Sequence, residues 1–557
     1  MTSKADGVLT QSTALQSSEH TTKLLKNFKW KSLLGIAFSL TNSWLGVSSS
    51  LVVGLSSGGP LLILYGLIIG VFFTFMCGWS LAEFASVLPS SSGPSFWVLK
   101  LLEKDNSGAV STGLVSLDEP EYSFDDVAVQ QETEENNLEW ACTSTNVSVT
   151  SFFQSSLALA VGLLNYFGAV FTTASVFSSL ALSILGVHSL LHTSYELKHW
   201  HVFVVYELLN FMLTILGCWS GILPALSQFG LYMSLFTYLI TFVISLVSRS
   251  NHSDIPWPKS SEIFGKFRNT TGWNSSGMAF VVGLINPLWA FAGIDSATHM
   301  VDEVGYKAST ILVPQAILST IIIGFLTSFT YAIGMFFCVT DTEKVTESIL
   351  PILEIYYQAT GNRNLSVFMQ CCCILTGITC GIASVTWQSR ILWSLGKDFS
   401  KLTTTRPICK KTMGFFGALN SKLRAPLNAH FFSQICVAII GCIFMGSSTA
   451  FNAIITACIT LLLLTYAIPC VIVLLVGKRE FYERVKNQLD ILSVNLGRVP
   501  ICNKISLIPN VFTIMWALFC LIFLSFPYSL PVSASTMNYV TVVYGAVAFL
   551  IGTLVLI

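Results

Sequence analysis

An all-α integral membrane protein with twelve transmembrane helices is the fold class this sequence predicts, on three observations. Only 10% of the 557 residues are charged, whereas soluble globular chains carry about 25%. Mean hydropathy is +0.69. Apolar segments near the roughly 20 residues that a helix needs to cross the hydrocarbon core recur twelve times, at 33–55, 61–84, 155–185, 200–223, 228–248, 277–300, 311–338, 365–393, 428–446, 450–476, 508–526 and 538–557.

Composition narrows the function classes. A formal net charge of zero gives no basic field for nucleic acid. The first 30 residues are polar, lack the apolar core of a cleavable signal peptide, and read as a cytoplasmic tail, 1–30. The 15 cysteines are scattered, with Cys371, Cys372 and Cys373 consecutive. They show neither a disulfide framework nor a metal-binding spacing, and small apolar fillers in helix packing account for them. No metal or cofactor is expected.

Lys and Arg mark the loops that stay on the cytoplasmic side. Lys23, Lys26, Lys29 and Lys31 precede the first span. Lys397, Lys401, Arg406, Lys410, Lys411, Lys422 and Arg424 follow the eighth, and Lys478, Arg479, Arg484, Lys486, Arg498 and Lys504 follow the tenth. With twelve spans these segments share one side, so both termini are expected in the cytoplasm. Spans one to five occupy 31–248, spans six to ten 277–476, and spans eleven and twelve 508–557, with 477–507 a cytoplasmic loop. The connection 249–276 then faces outside. It holds three glycosylation acceptors, Asn251, Asn269 and Asn274, in Asn-X-Ser/Thr tripeptides; a fourth tripeptide, at Asn146, falls on the cytoplasmic side and reads as unused. The insert 104–150 carries nine acidic residues between Asp118 and Glu139. High charge and low hydrophobicity predict disorder there, as a tether or as a docking segment.

Span six carries the chemistry. In "NPLWAFAGIDSATHMVDEV" (Asn286–Val304) a proline and a glycine loosen the helix, and Asp295 and His299 can ionise. A carboxylate at a helix centre costs roughly 3 kcal/mol on insertion scales, so Asp295 needs a partner or a proton. It either meets a cationic substrate group, carries a coupling proton, or is held by hydrogen bonds. His299 lacks a second ligand in the sequence and reads as structural. Trp289 and Phe291 flank the break, and a cation can stack on an indole. Span one, "GIAFSLTNSWLGVSSSLVVG" (Gly35–Gly54), is interrupted as well, by Asn42, Ser43, Gly46 and a serine run. Paired interrupted helices at matching positions mark the substrate site of inverted-repeat transporters, and unwound backbone is tolerated in a bilayer only where it lines a cavity. Glu83 reads as solvated at an interface, Glu207 as paired across helices, and Asn165, Tyr166, Trp387 and Gln388 as cavity residues.

With these residues in view, the chain resembles the amino acid–polyamine–organocation superfamily, in its fungal amino-acid/choline permease branch. The likeness rests on "SGGPLLILYGLIIGVFFTFMCGWSLAEFASVLPSSSG" (Ser57–Gly93), the span-six stretch, "MGSSTAFNAIITACITLLLL" (Met445–Leu464) and "SFPYSLPVSASTMNYV" (Ser525–Val540). "YELKHWHVFV" and "YQATGNRNLSVF" look most like the branch members that carry a biotin precursor, 7-keto-8-aminopelargonic acid. The chain departs from the superfamily at Ser91-Ser92-Gly93-Pro94, where paired glycines before an aromatic are commoner. The resemblance implies a LeuT-type 5+5 inverted-repeat fold with helices one and six broken, and proton-coupled uptake at the plasma membrane of a small zwitterionic amino-keto acid. It places the substrate at Asn42, Ser43, Gly46 and Val47, with the span-one break centred on Gly46, and at Trp289, Ala290, Phe291, Gly293 and Asp295. In this reading the ammonium sits over Trp289 near Asp295, which also carries the proton, and the carboxylate meets free amides around Ser43 to Val47. Within the branch, a permease for choline, 4-aminobutyrate or another amino acid is the alternative; outside the transporter class it is a transporter-like nutrient sensor, with the acidic insert as its only support. An enzyme is not expected: no HExxH, GxSxG or Walker-type motif occurs.

Overall fold

The computed structural model describes residues 24–102, 152–192, 194–251, 255–402, 407–477, 507–534 and 536–556. The acidic insert, most of the N-terminal tail and nearly all of the 477–507 loop lie outside the described residues. Among the described residues the regular elements are all helical. The principal helices are α1 (Trp30–Thr41), α2 (Ser43–Ser49), α3 (Leu51–Ser57), α4 (Pro60–Val87), α5 (Pro94–Leu102), α6 (Phe152–Leu191), α7 (His199–Gly217) and α8 (Leu223–Asn251). They continue with α9 (Ser276–Gly283), α10 (Ile285–Trp289), α11 (Tyr306–Cys338), α12 (Arg363–Phe399), α13 (Leu427–Gly446), α14 (Ser448–Val476), α15 (Leu507–Phe523) and α16 (Val540–Leu556).

Among the described residues eight helices are long and apolar enough to cross a membrane: α4, α6, α7, α8, α11, α12, α13 and α14. The α1–α3 run passes the same test as one span bent by 47°. The α9–α10 stretch, α15 and α16 are shorter apolar helices. Each apolar segment of the sequence therefore has a helical counterpart.

Local signals set the helix starts. Pro60 opens α4 at a position where its missing N–H costs nothing. Side chains of Ser275, Asn362 and Ser447 accept backbone N–H groups at the starts of α9, α12 and α14, meeting donors that a helix N-terminus leaves open. Packing then sorts inside from outside. α6 lies deep, with 72% of its most apolar stretch buried, against 33% for α8. α6 packs on α12 and α14, and α4 packs on α11. The outer helices present Phe211, Met212, Phe236, Leu239 and Phe549 on the surface, an apolar belt of the kind that faces lipid. This is a multi-pass membrane protein.

Both interrupted segments are broken, at positions that differ in part from the sequence expectation. Span six is helical to Trp289 and then turns through Ala290–Asp295 before a 3₁₀ turn at Ser296–Met300; Gly293 lies in this break as expected, whereas Pro287 sits inside α10. In span one the interruption falls at Asn42, which adopts φ 35°, ψ 53°, and again at Ser50. Gly46 lies inside α2, and Ser43 to Val47 are helical. Asparagine tolerates the left-handed region better than most residues, so Asn42 rather than Gly46 takes the backbone of the break.

Candidate functional site

The two broken segments meet. α2 packs against α10, and a Cβ added at Gly46 would lie 3.1 Å from the Ala290 Cα and 3.4 Å from the Trp289 ring. Gly46 is thus required for close approach rather than for unwinding. Gly293 is required for conformation as well as space. Its φ is +79°, costly for any residue with a Cβ, and a Cβ there would sit 2.7 Å from a Leu40 methyl. Asn286 binds the segments together, donating to the Val47 carbonyl at 3.3 Å and to Ser50 Oγ at 2.6 Å, which satisfies backbone freed beside the second bend. Gly46→Leu is expected to wedge α2 from the Ala290 turn, lowering stability by about 1–3 kcal/mol and abolishing substrate uptake. Normal uptake at normal surface abundance would show that this contact is dispensable.

Between the span-one break, α6, the span-six turn and α12 lies a cavity of about 50 Å³. Asn42, Gly46 and Trp289 line it, with Leu40 and Leu45 from the span-one break and Thr172, Val176 and Ser179 from α6. Asn42 Oδ1 accepts from Ser234 Oγ at 2.9 Å, and Ser234 in turn accepts from Trp44 Nε1 at 3.0 Å. Two donors are left: Asn42 Nδ2 and Trp289 Nε1 are buried without a partner. An unmet buried donor costs about 1–3 kcal/mol, a cost removed when an acceptor on a ligand enters. Ligand sites usually measure roughly 300–1,000 Å³, so this cavity is smaller than a ligand site of ordinary size.

The other site residues named from the sequence fall elsewhere. Phe291 and Gly293 line a second space of about 30 Å³ on the far side of the turn, with Tyr466 and Trp516, and only Ala292 borders both cavities. Ser43, Val47, Ala290 and Asp295 line neither. The amides of Leu45 and Gly46 donate to the Asn42 carbonyl at 2.9 Å each, so they are not free to receive a carboxylate. Asn42 Nδ2 and Trp289 Nε1 are the donors available instead. The sequence reading missed the α6 wall, although Thr172, Val176, Ser179 and Ser183 recur at helical spacing on one face.

Asp295 is fully buried and held from three elements. Tyr466 OH, from α14, donates to Oδ1 at 2.7 Å. Asn165 Nδ2, from α6, donates to Oδ2 at 3.1 Å, and His299 Nε2 lies 3.1 Å from the same oxygen. The second nitrogen of His299, Nδ1, is 2.7 Å from the Ser91 carbonyl oxygen. Asn165 therefore serves the carboxylate, not the central cavity. Tyr166 bonds Ser433 at 3.0 Å, and Trp387 packs beside Gly293; neither these nor Gln388 lines the central cavity.

Near this cluster, at the end bearing Lys397, is a set of ion pairs that the linear sequence does not reveal. Arg390 Nε donates to Glu303 Oε1 at 2.5 Å, with both side chains 2% exposed. Arg390 Nη2 reaches Ser220 Oγ at 3.2 Å, and Lys397 Nζ lies 3.0 Å from Asp302 Oδ2. Ser92 Oγ donates to Asp398 Oδ2 at 2.5 Å. Glu83 is buried rather than solvated, and Glu207 accepts from Asn210 of its own helix at 3.4 Å. Of the glycosylation acceptors, Asn251 and Asn274 are exposed. Asn269 Nδ2 donates to the Trp273 carbonyl at 2.7 Å, while its Oδ1 accepts from Thr271.

Comparison with known proteins bears on this arrangement. The chain is 57% identical over 543 residues to the 7-keto 8-aminopelargonic acid transporter of Saccharomyces cerevisiae, covering 97% of this chain and 94% of that one. It is 36% identical over 524 residues to the choline transporter of the same yeast, covering 93% and 79%. It is 22% identical over 546 residues to amino-acid permease 2 of Neurospora crassa, covering 95% and 84%. The family model described as amino acid permease matches residues 144–547, a span that takes in α6, the span-six turn, Asp295, Tyr466 and the ion pairs, and by that match the chain belongs to the amino acid permease family.

Proposed function

We propose that this protein is a secondary active, proton-coupled permease that imports 7-keto-8-aminopelargonic acid, a biotin precursor, across the plasma membrane. The observation that carries the substrate is the 57% identity over 97% of the chain to a transporter of that compound. The pocket is compatible with it. Leu40, Leu45, Val176 and Leu180 give an apolar wall for an aliphatic chain, and Asn42 Nδ2 and Trp289 Nε1 offer donors to a carboxylate or a ketone. The ammonium meets the face of the Trp289 ring. The eight long helices, the bent α1–α3 span and the three shorter apolar helices are read as twelve crossings, arranged as two inverted repeats of five with two more.

Accumulation of labelled 7-keto-8-aminopelargonic acid against its gradient, in cells without their own permease, tests the reading, with 7,8-diaminopelargonic acid, choline and 4-aminobutyrate as competitors. Equilibration without accumulation would reject active transport. Preference for choline would transfer the substrate to that of the 36% identical relative.

The lysine- and arginine-rich segments support a topology with both termini and the 104–150 insert in the cytoplasm and Asn251, Asn269 and Asn274 outside. A tag within 104–150 is expected to be protected from antibody on intact cells, and a tag beside Asn274 to be stained. The opposite pattern would invert the topology.

A further inference from the structure

We infer that Ser234, held in turn by Trp44, fixes the Asn42 amide with its N–H groups free for the cargo, and that Asn42 thereby selects a carboxylate-bearing substrate over a purely cationic one. The inference rests on the substrate reading above and names residues that enforce it. Asn42 lines the central cavity and is 2% exposed. Ser234 of α8 and Trp44 of α2 are fully buried and stand outside that lining. An indole N–H can only donate, so Trp44 Nε1, 3.0 Å away, takes a lone pair of Ser234 Oγ. The one hydrogen of that hydroxyl goes to Asn42 Oδ1 at 2.9 Å. Ser227 and Thr241 of the same helix instead donate to carbonyls four residues back.

The two ends of an asparagine amide have nearly the same shape, so hydrogen bonding decides which way it points. Turned about, Nδ2 would donate to the remaining lone pair of Ser234. The serine hydrogen and Asn42 Oδ1 would then both be buried without partners, in place of Nδ2 alone. Each unmet buried polar group is costly, so Oδ1 stays turned to Ser234 and Nδ2 stays free. The orientation of a group in the substrate cavity is thus set by two side chains that line no part of it.

The rest of the wall makes that orientation matter. The hydroxyls of Thr41, Ser49 and Thr172 donate to carbonyls of their own helices and offer the cavity lone pairs, while Ser179 and Ser183 carry hydroxyls that can turn either way. No described Lys, Arg, Asp or Glu lines the cavity. The fixed donors are Asn42 Nδ2 and Trp289 Nε1. Hydrogen bonds to an ionised acceptor are the stronger kind, so a carboxylate gains most from Asn42, while the ammonium and its neighbouring ketone stand at Trp289. A quaternary ammonium bearing one hydroxyl gives Asn42 only a neutral acceptor, and no carboxylate in the wall offsets its charge.

The test uses the purified full chain and reads the concentration of 7-keto-8-aminopelargonic acid, its primary carboxamide or choline that raises the thermal unfolding midpoint, so a variant that no longer transports is still scored. The wild type is expected to bind the acid more tightly than the carboxamide. Asn42→Asp keeps an acceptor for Ser234 and a residue that tolerates the left-handed region, but presents oxygen where the N–H stood. It should bind the acid about tenfold or more weakly, the size of one hydrogen bond to a charged group, and lose its preference over the carboxamide. Ser234→Ala frees the amide to turn and should lower the same preference severalfold; if either variant fails to fold, the other decides. Because Ser234 acts through Asn42, the Asn42→Asp/Ser234→Ala double variant should match Asn42→Asp. A wild type that binds acid and carboxamide alike, a folded single variant with the wild-type preference, or losses that multiply in the double variant would each overturn the inference. A wild type that binds choline and not the acid would reject the substrate reading instead.

Discussion

Asp295→Asn is expected to abolish accumulation of substrate against a gradient while the protein still reaches the cell surface. The carboxylate accepts from Tyr466 at Oδ1 and from Asn165 at Oδ2, with His299 Nε2 beside Oδ2. An asparagine in the same place keeps one acceptor and turns the other into a donor. If its amide faces His299 Nε2, that nitrogen gains a donor and the network closes without a carboxylate. The clash of two amides at Asn165 costs about 1–3 kcal/mol, too little to unfold the bundle. Since Asp295 lines neither cavity, the loss should appear in concentrative uptake more than in apparent affinity. Uptake at several external pH values, normalised to surface abundance, decides the matter. Normal accumulation by the variant at every pH would reduce Asp295 to a structural acid.

Arg390→Met is expected to be among the most destabilising single substitutions in the chain. Arg390 and Glu303 are each 2% exposed and bonded at 2.5 Å, and the methionine leaves the Glu303 carboxylate buried without its counter-charge. Breaking one side of a buried pair costs about 3–5 kcal/mol. The Glu303 carbonyl also accepts from the Phe28 amide at 3.2 Å, so a shift of this segment would reach the residues that lead into α1. The measurement is the thermal unfolding midpoint of purified protein in detergent. The Glu303→Leu/Arg390→Met double variant should recover most of the loss, because replacing both charges by apolar groups removes the unpaired one. A single variant as stable as the wild type would mean that water already screens the pair.

The helix inventory could be read directly from the sequence, since a bilayer demands about 20 apolar residues per crossing and the chain supplies them in separate runs. The break in span six was legible for the same reason: Gly293 and Asp295 are unsuited to the middle of a continuous apolar helix. The break in span one was visible as a polar interruption, but its centre was not. Glycine and asparagine both allow a helix to stop, and only the neighbouring Ala290 and Trp289 show that Gly46 makes room for a contact while Asn42 takes the unusual backbone.

The sequence by itself determined that this is a helical membrane protein with two interrupted segments and one acid that needs company. Composition and spacing determine that much, because lipid penalises every unsatisfied polar group wherever it stands in the chain. Only the tertiary structure decided who keeps that acid company. Asn165, His299 and Tyr466 come from positions 130, 4 and 171 residues away, and Glu303 finds Arg390 across 87 residues. Hydrogen bonds act over about 3 Å in space, so helices folded side by side choose partners that no local pattern of residues can name.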